Sequence, residues 1–265
     1  MNRPLPLPAL RSICSTGALL LSAALAQGAL VVNPGVPITH NLRVQPIIVQ
    51  QDGAQGGDSA TFFGTAGQQG LIEGYVDTIW AQAGIDVTFL SSTIYVSSFA
   101  YNGYPADYES TVRPSLDLSS IVDAGPVNPD PAVLNMFFVE IVPGSAYTTL
   151  NTANGVAYVD GNGAVMFVGG NLLSFTTGQE GIASVVAHEI GHNLGLSHLV
   201  SAENLMQAGG SPDPGQRLSP EQIAAVFSDD AGLDGFDLLV PIPEPTAAWM
   251  ALLAAGAFCI TRRRA

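Results

Sequence analysis

Eleven residues, 188–198, limit most strongly how this chain can fold, because they read HExxHxxGxxH. His188 and His192 are four residues apart, so on a helix they lie on one face and can reach a single metal ion. Glu189 lies beside them and can act as a general base toward water. Gly195 follows the last helical turn and can adopt a left-handed conformation, which would bring His198 back as a third ligand. Three protein ligands with one open position are typical of catalytic zinc.

An ordinary amphipathic helix with surface histidines is the alternative, since HExxH alone recurs by chance. The motif contains three of the four histidines in the chain. A purely structural helix has no reason to gather them in so histidine-poor a sequence, and this favours zinc. We interpret the fourth, His40, as an ordinary loop residue.

The residues around the motif predict a helix over residues 177–195. Thr177 and Glu180 have the spacing of a capping box, which makes Glu180 a cap and not a catalytic group. Apolar residues then recur at helical spacing and are assigned to the core: Ile182, Val185, Val186, Ile190 and Leu194.

A second helix is predicted to begin near residue 219. Ser219 is placed at its N-cap, Pro220 at its first helical position, and Gln222 closes the capping box. Met206 lies between this helix and the motif, eight residues after His198. A buried methionine there could be a simple filler of gaps in the core.

This order of motif, methionine and helix resembles the metzincin clan of zinc endopeptidases, with the spacing of matrixin-like members. The resemblance implies an α+β fold: a mixed, twisted sheet, an active-site helix, and a small C-terminal subdomain with a Met-turn and a helix. It implies His188, His192 and His198 as zinc ligands and Glu189 as the catalytic base. Met206 would form the Met-turn floor beneath the metal, which is also a packing role.

Two features leave the metzincin subfamily open. Leu199 follows the third histidine and fits none of the large subfamilies, and no tyrosine follows Met206.

The residues that precede the motif predict strands and one helix, in an order compatible with that fold. Residues 101–132 are rich in Pro, Asn, Asp and Gly and predict a long excursion with little regular structure. The predicted elements are a strand at 42–50, a helix at 68–83, a strand at 85–90, a buried strand at 133–142 and a hairpin at 155–167. In metzincins a sheet edge binds the peptide antiparallel to itself, and 155–167 is the candidate here. An edge strand without a substrate role is the alternative.

Both ends of the chain resemble export signals. Residues 1–26 combine positive charge, an apolar stretch and an A-x-A site, so we expect a secretory signal peptide and a domain over 27–240.

Residues 241–265 contain Pro-Glu-Pro, an apolar run at 246–260 and three arginines. This layout resembles the PEP-CTERM sorting signal of Gram-negative bacteria, which an exosortase processes. We therefore expect an extracellular or cell-surface protein whose C-terminal segment lies transiently or stably in the membrane. A plain membrane anchor is the alternative, although the apolar run is shorter than the about 20 residues that span a bilayer.

Charge and cysteine content restrict the partners of the predicted domain. Residues 27–244 contain three basic and 22 acidic residues, a net charge of −19, which disfavours nucleic acid as a partner. Both cysteines, Cys14 and Cys259, lie in the two end segments, so we expect no disulfide in the domain.

The acidic run at 229–237 offers the oxygen ligands that calcium prefers, but without EF-hand spacing. A solvated acidic linker is the other interpretation.

These observations predict an exported zinc endopeptidase that hydrolyses protein or peptide substrates, with Glu189 as general base. Two rival functions stay open. One is a non-catalytic zinc-binding surface or extracellular-matrix protein, which would have no need of the Glu189 carboxylate. The other is a metal-dependent hydrolase of non-peptide bonds.

Overall fold

The structure is a computed structural model that describes residues 30–53, 57–61, 63, 65–102, 125–140, 154–169, 178–207, 215–229 and 237–243. The strands are β1 (His40–Gln50), β2 (Ile85–Phe89), β3 (Thr93–Val96), β4 (Val133–Val139), β5 (Gly155–Ala157), β6 (Ala164–Phe167) and β7 (Leu239–Pro241). The helices are α1 (Ala66–Trp80), α2 (Ser98–Asn102), α3 (Gln179–Asn193) and α4 (Pro220–Asp229), and a 3-10 turn (Ala81–Ala83) follows α1.

Within the described residues, the strands form one seven-stranded mixed sheet in the order β2-β1-β4-β6-β5, with β3 and β7 also paired to β1. β1 pairs in parallel with β2, β3 and β4, and β4 pairs in parallel with β6. β5 and β7 are antiparallel to their neighbours. The predicted mixed sheet is therefore confirmed, and most of its pairings are parallel.

Hydrophobic residues cover both faces of the sheet. Every residue of β4 is buried, which fits the continuous apolar run that predicted a buried strand. Leu134, Met136 and Phe138 join the larger core cluster with α1 and α3, while Phe137 and Val139 join a smaller cluster. Alternation along β4 therefore divides its side chains between the two cores.

Local sequence signals explain where the helices begin and end. Thr65 and Gln68 form a capping box at the start of α1, and Gly84, with φ of 73°, follows the 3-10 turn. The predicted capping box of α4 is present, since Ser219 and Gln222 exchange side chain to backbone hydrogen bonds.

Several expectations differ from the structure or lie outside its described part. β3, α2 and β7 were not predicted, and α2 begins just before the region expected to be irregular, of which residues 103–124 are not described. The signal peptide, most of the sorting segment and most of the acidic 229–237 run also lie outside the described residues. Among the helices that the structure describes, none is long and apolar enough to cross a membrane.

Candidate metal centre

Helix α3 carries the first two histidines of the motif. Its N-cap is Gly178, with φ of 64°, and no side chain caps it. The predicted N-cap at Thr177 differs from the structure, in which Gly178 is the N-cap; Glu180 is buried, and Tyr75 of α1 forms a hydrogen bond with it. Packing between α1 and α3 has drawn this carboxylate inward. Thr177, its predicted partner, lies outside the described residues.

The chain reverses direction directly after α3. The Leu196 N–H donates to the Gly191 carbonyl at 2.8 Å and the Gly195 N–H donates to the His192 carbonyl at 2.9 Å. Gly195 has φ of 82°, and the two bonds together are those of a Schellman motif. A residue with a side chain would be strained in that conformation. This turn returns His198 toward the helix.

The three histidines of the motif converge through their Nε2 atoms. The distance between the Nε2 atoms is 3.1 Å for His188 and His198 and 3.0 Å for His192 and His198. Two nitrogens bound to one tetrahedral zinc at 2.0–2.1 Å are about 3.4 Å apart, close to these separations. The donor set therefore fits zinc, and among the described residues these three are the group that could hold a metal ion.

Backbone carbonyls fix the orientation of the two helical histidines. His188 Nδ1 lies 2.6 Å from the Leu205 carbonyl oxygen, and His192 Nδ1 lies 2.7 Å from the Leu196 carbonyl oxygen. Because a carbonyl only accepts, each Nδ1 carries the hydrogen and each Nε2 presents its lone pair. Burial lowers the pKa of His188 to about 4 and also lowers the pKa of His192. Both rings are therefore neutral at pH 7, as metal ligands must be.

Glu189 follows His188 in α3 and is almost completely buried, with 5 % of its surface exposed. Burial raises the pKa of its carboxyl group to about 8. Its Oε2 atom has no hydrogen-bond partner among the described residues. A nearby cation would lower that pKa, because an opposite charge favours the ionised form. The group can then accept a proton and return it near neutral pH.

A tight turn at residues 204–207 lies beneath the histidines. Met206 is fully buried, and its Sδ atom fills the space that a side chain at Gly191 would need. The Met206 N–H donates to Asn204 Oδ1 at 2.9 Å, and the Leu205 carbonyl of the same turn contacts His188. The turn thus packs against α3 and orients one of its histidines.

Two amide pairings around the site were not predicted. Asn204 and Gln222 exchange two buried side-chain hydrogen bonds, of 2.8 and 3.1 Å, which tie the 204–207 turn to α4. The two N–H groups of the Asn193 side-chain amide are shared among the carbonyls of Tyr158, Gly161 and Gly163. The sequence carries no signal for these bonds, because each joins segments that are far apart along the chain.

The sequence of residues 110–199 matches the family model described as metallo-peptidase family M12B, reprolysin-like. No curated protein matches the chain.

Solved structures to which the chain is similar include two archaemetzincins. The one from Methanopyrus kandleri is 14 % identical over 71 % of this chain and 95 % of its own, with a TM-score of 0.47. The one from Archaeoglobus fulgidus, in complex with malonate, is 18 % identical over 70 % of this chain and 99 % of its own, with a TM-score of 0.45. Metalloproteinase-II from Bacteroides fragilis is 17 % identical over 75 % of this chain and 55 % of its own, with a TM-score of 0.38.

The family match is thus confined to part of the chain, and that part contains the whole HExxHxxGxxH motif. Together with the converging histidines, it supports a zinc metallopeptidase.

Proposed function

We propose that the protein is a zinc-dependent endopeptidase in which His188, His192 and His198 hold the metal and Glu189 is the general base. The observation that carries this proposal is the Glu189 carboxyl group, which is buried on the helix that carries His188 and His192 and has one oxygen unpartnered among the described residues. A buried carboxyl group without a partner is costly for the folded protein. A site that only stored zinc would not need it.

The chemistry divides between the metal and the chain. Zinc, when bound, supplies a Lewis acid that polarises a carbonyl group and lowers the pKa of water. Glu189 takes a proton from the attacking water and transfers it to the leaving amine. The carbonyls of Leu205 and Leu196 keep the lone pairs of His188 and His192 directed inward. Met206 supports the site from below, and Gly195 provides the turn that returns His198.

For the substrate we propose a peptide that adds to β5 by main-chain hydrogen bonds. β5 ends the strand order of the described sheet, and its Gly155 lies against Glu189. A strand added there would run past the proposed base. If β5 is an edge strand with no substrate role, methylating successive backbone amides of a cleaved peptide would leave its KM unchanged.

Export and processing form a separate proposal that rests on sequence patterns alone. We propose that residues 1–26 are removed as a signal peptide and that an exosortase-type enzyme processes 241–265. Mass spectrometry of the protein recovered outside a Gram-negative host would give both termini. An intact C-terminus would favour a plain membrane anchor.

The catalytic proposal is tested with the wild-type protein and the Glu189→Gln variant. Both are assayed for zinc per chain and for cleavage of a diverse peptide library. We expect equal zinc content and cleavage by the wild type alone, because glutamine cannot accept the proton. Equal cleavage by both would remove Glu189 from the mechanism. Bound zinc without cleavage by either would favour the zinc-binding matrix protein.

A further inference from the structure

Gly155 of β5 lies against the side chain of the proposed base, Glu189. A Cβ atom built on Gly155 would lie 2.7 Å from Cγ and Oε1 of Glu189 and 2.9 Å from its Cδ. Carbon atoms in contact are normally about 3.5–4.0 Å apart. The side chain of Glu189 thus occupies the space that any other residue at position 155 would fill.

The backbone at this position does not itself require glycine. Gly155 is not among the residues with positive φ, and it pairs with Met166 as a regular antiparallel partner. Alanine in a strand is normally favoured over glycine, because glycine loses more conformational freedom on folding. The reason for glycine here is therefore space.

Strand β5 cannot easily move away from Glu189. On one side it pairs with β6, and the Phe167 N–H donates to the Asn154 carbonyl at 3.0 Å. Beyond its end, the Asp160 N–H donates to the His192 carbonyl at 2.9 Å, and Asn193 binds three carbonyls of the same turn. These bonds attach the β5–β6 connection to the end of α3. A larger residue at 155 would therefore displace the Glu189 side chain more readily than the strand.

We propose that Gly155 is a positioning residue for Glu189: by leaving room against β5, it lets the carboxyl group keep the buried position that it has in this structure. The expected effect on catalysis rests on the proposed function. The contact between position 155 and Glu189 does not depend on that function. Catalysis is sensitive to such displacement, since a shift of about 1 Å in a reacting group can cost on the order of 100-fold in rate.

The first experiment measures thermal stability of the full chain and needs no enzymatic activity. Gly155→Ala should lower the Tm when Glu189 is present and should leave it unchanged or raise it in the Glu189→Ala background. Gly74→Ala is the matched control, because nothing lies within 4 Å of a Cβ at that exposed position of α1. An equal loss of Tm in both backgrounds, or failure of both to fold, would overturn the proposal, as would no loss in either.

The second experiment measures zinc content, kcat and KM. For Gly155→Ala we expect one zinc per chain as in the wild type, kcat lower by about 10- to 100-fold, and KM within about twofold. In the Glu189→Asp background the loss should shrink, because a shorter side chain relieves the crowding, and a double-mutant cycle measures that coupling. Unchanged kcat, or losses that simply multiply, would overturn the positioning role. An inactive wild type would instead refute the proposed function, and the stability experiment would still decide the contact.

Discussion

Helix α3 buries both of its halves, but two different kinds of interaction stabilise them. Residues 179–187 are mainly apolar and small, and they pack against α1 in the larger core cluster. Residues 188–193 include four polar side chains, His188, Glu189, His192 and Asn193, all less than 10 % exposed. Each histidine and the asparagine has named hydrogen-bond partners outside α3. Apolar packing in the first half tolerates small shifts of the side chains. The hydrogen bonds of the second half require particular donor and acceptor atoms to stay in place.

The stability that residues 179–187 contribute should therefore not depend on bound zinc. Ile182→Ala removes a side chain that is 4 % exposed in the core, and we expect the free energy of unfolding to fall by about 2–4 kcal/mol. Urea denaturation with and without a chelator measures this loss, which should be the same in both conditions. Leu71→Ala, at a position of α1 that is 40 % exposed, is the control and should have a much smaller effect. A loss that disappears without zinc would break the distinction between the halves.

The second half should gain stability from metal. At a free zinc concentration 100 times the Kd, binding to the folded state alone adds about 2.7 kcal/mol to the free energy of unfolding. Calorimetry should show a rise in Tm on adding zinc to the wild type and no rise for His192→Ala. A similar rise in that variant would mean that zinc stabilises the protein somewhere else.

Asn193 tests the second half without touching a ligand. Asn193→Ala removes the amide that donates to carbonyls of residues 158–163, and we expect a loss of about 2 kcal/mol by chemical denaturation. Asn193→Asp has the same size but replaces the donating amide by an accepting oxygen. Wild-type stability in the aspartate variant would show that shape, and not donation, matters there.

Ser184 is, like Glu180, a buried polar residue within the first half, and its replacement should have the smallest effect. Its hydroxyl donates to the Glu180 carbonyl at 2.9 Å and accepts from Gln216 Nε2 at 3.0 Å. Ser184→Ala should cost about 1 kcal/mol, because the Gln216 donor loses its partner. The exposed Ser228→Ala in α4 is the control. A loss as large as that for Asn193→Ala would show that polar contacts govern both halves alike.

The same contrast explains what the sequence could predict. Short-range spacing is sufficient for the existence of α3, for the burial of its apolar stripe, and for the expectation that three histidines converge after a turn at Gly195. The capping box at Ser219 was equally visible, since both partners lie within one helical turn. In each case the interacting residues are close along the chain.

Contacts between distant segments were not predictable. Glu180 has the spacing of a cap, but packing against Tyr75 of α1 turned it inward. The short strand β7 forms by pairing with β1, about 200 residues away, and its own sequence gives no signal of this. Other contacts also depend on where the fold brings distant segments: the hydrogen bonds of Asn193, those between Asn204 and Gln222, and the close approach of Gly155 to Glu189.

The central claim is that three histidines of this chain bind one zinc ion. Elemental analysis of purified protein, equilibrated with zinc and then dialysed, measures this directly for the wild type, His198→Ala and His40→Ala. We expect one zinc per chain in the wild type and in His40→Ala, because His40 lies outside the group: it begins β1 and is not in the loop that we predicted, and its ring contacts Phe227. Loss of zinc in His198→Ala alone would support the site. Zinc-free wild-type protein, or equal zinc in all three proteins, would contradict it.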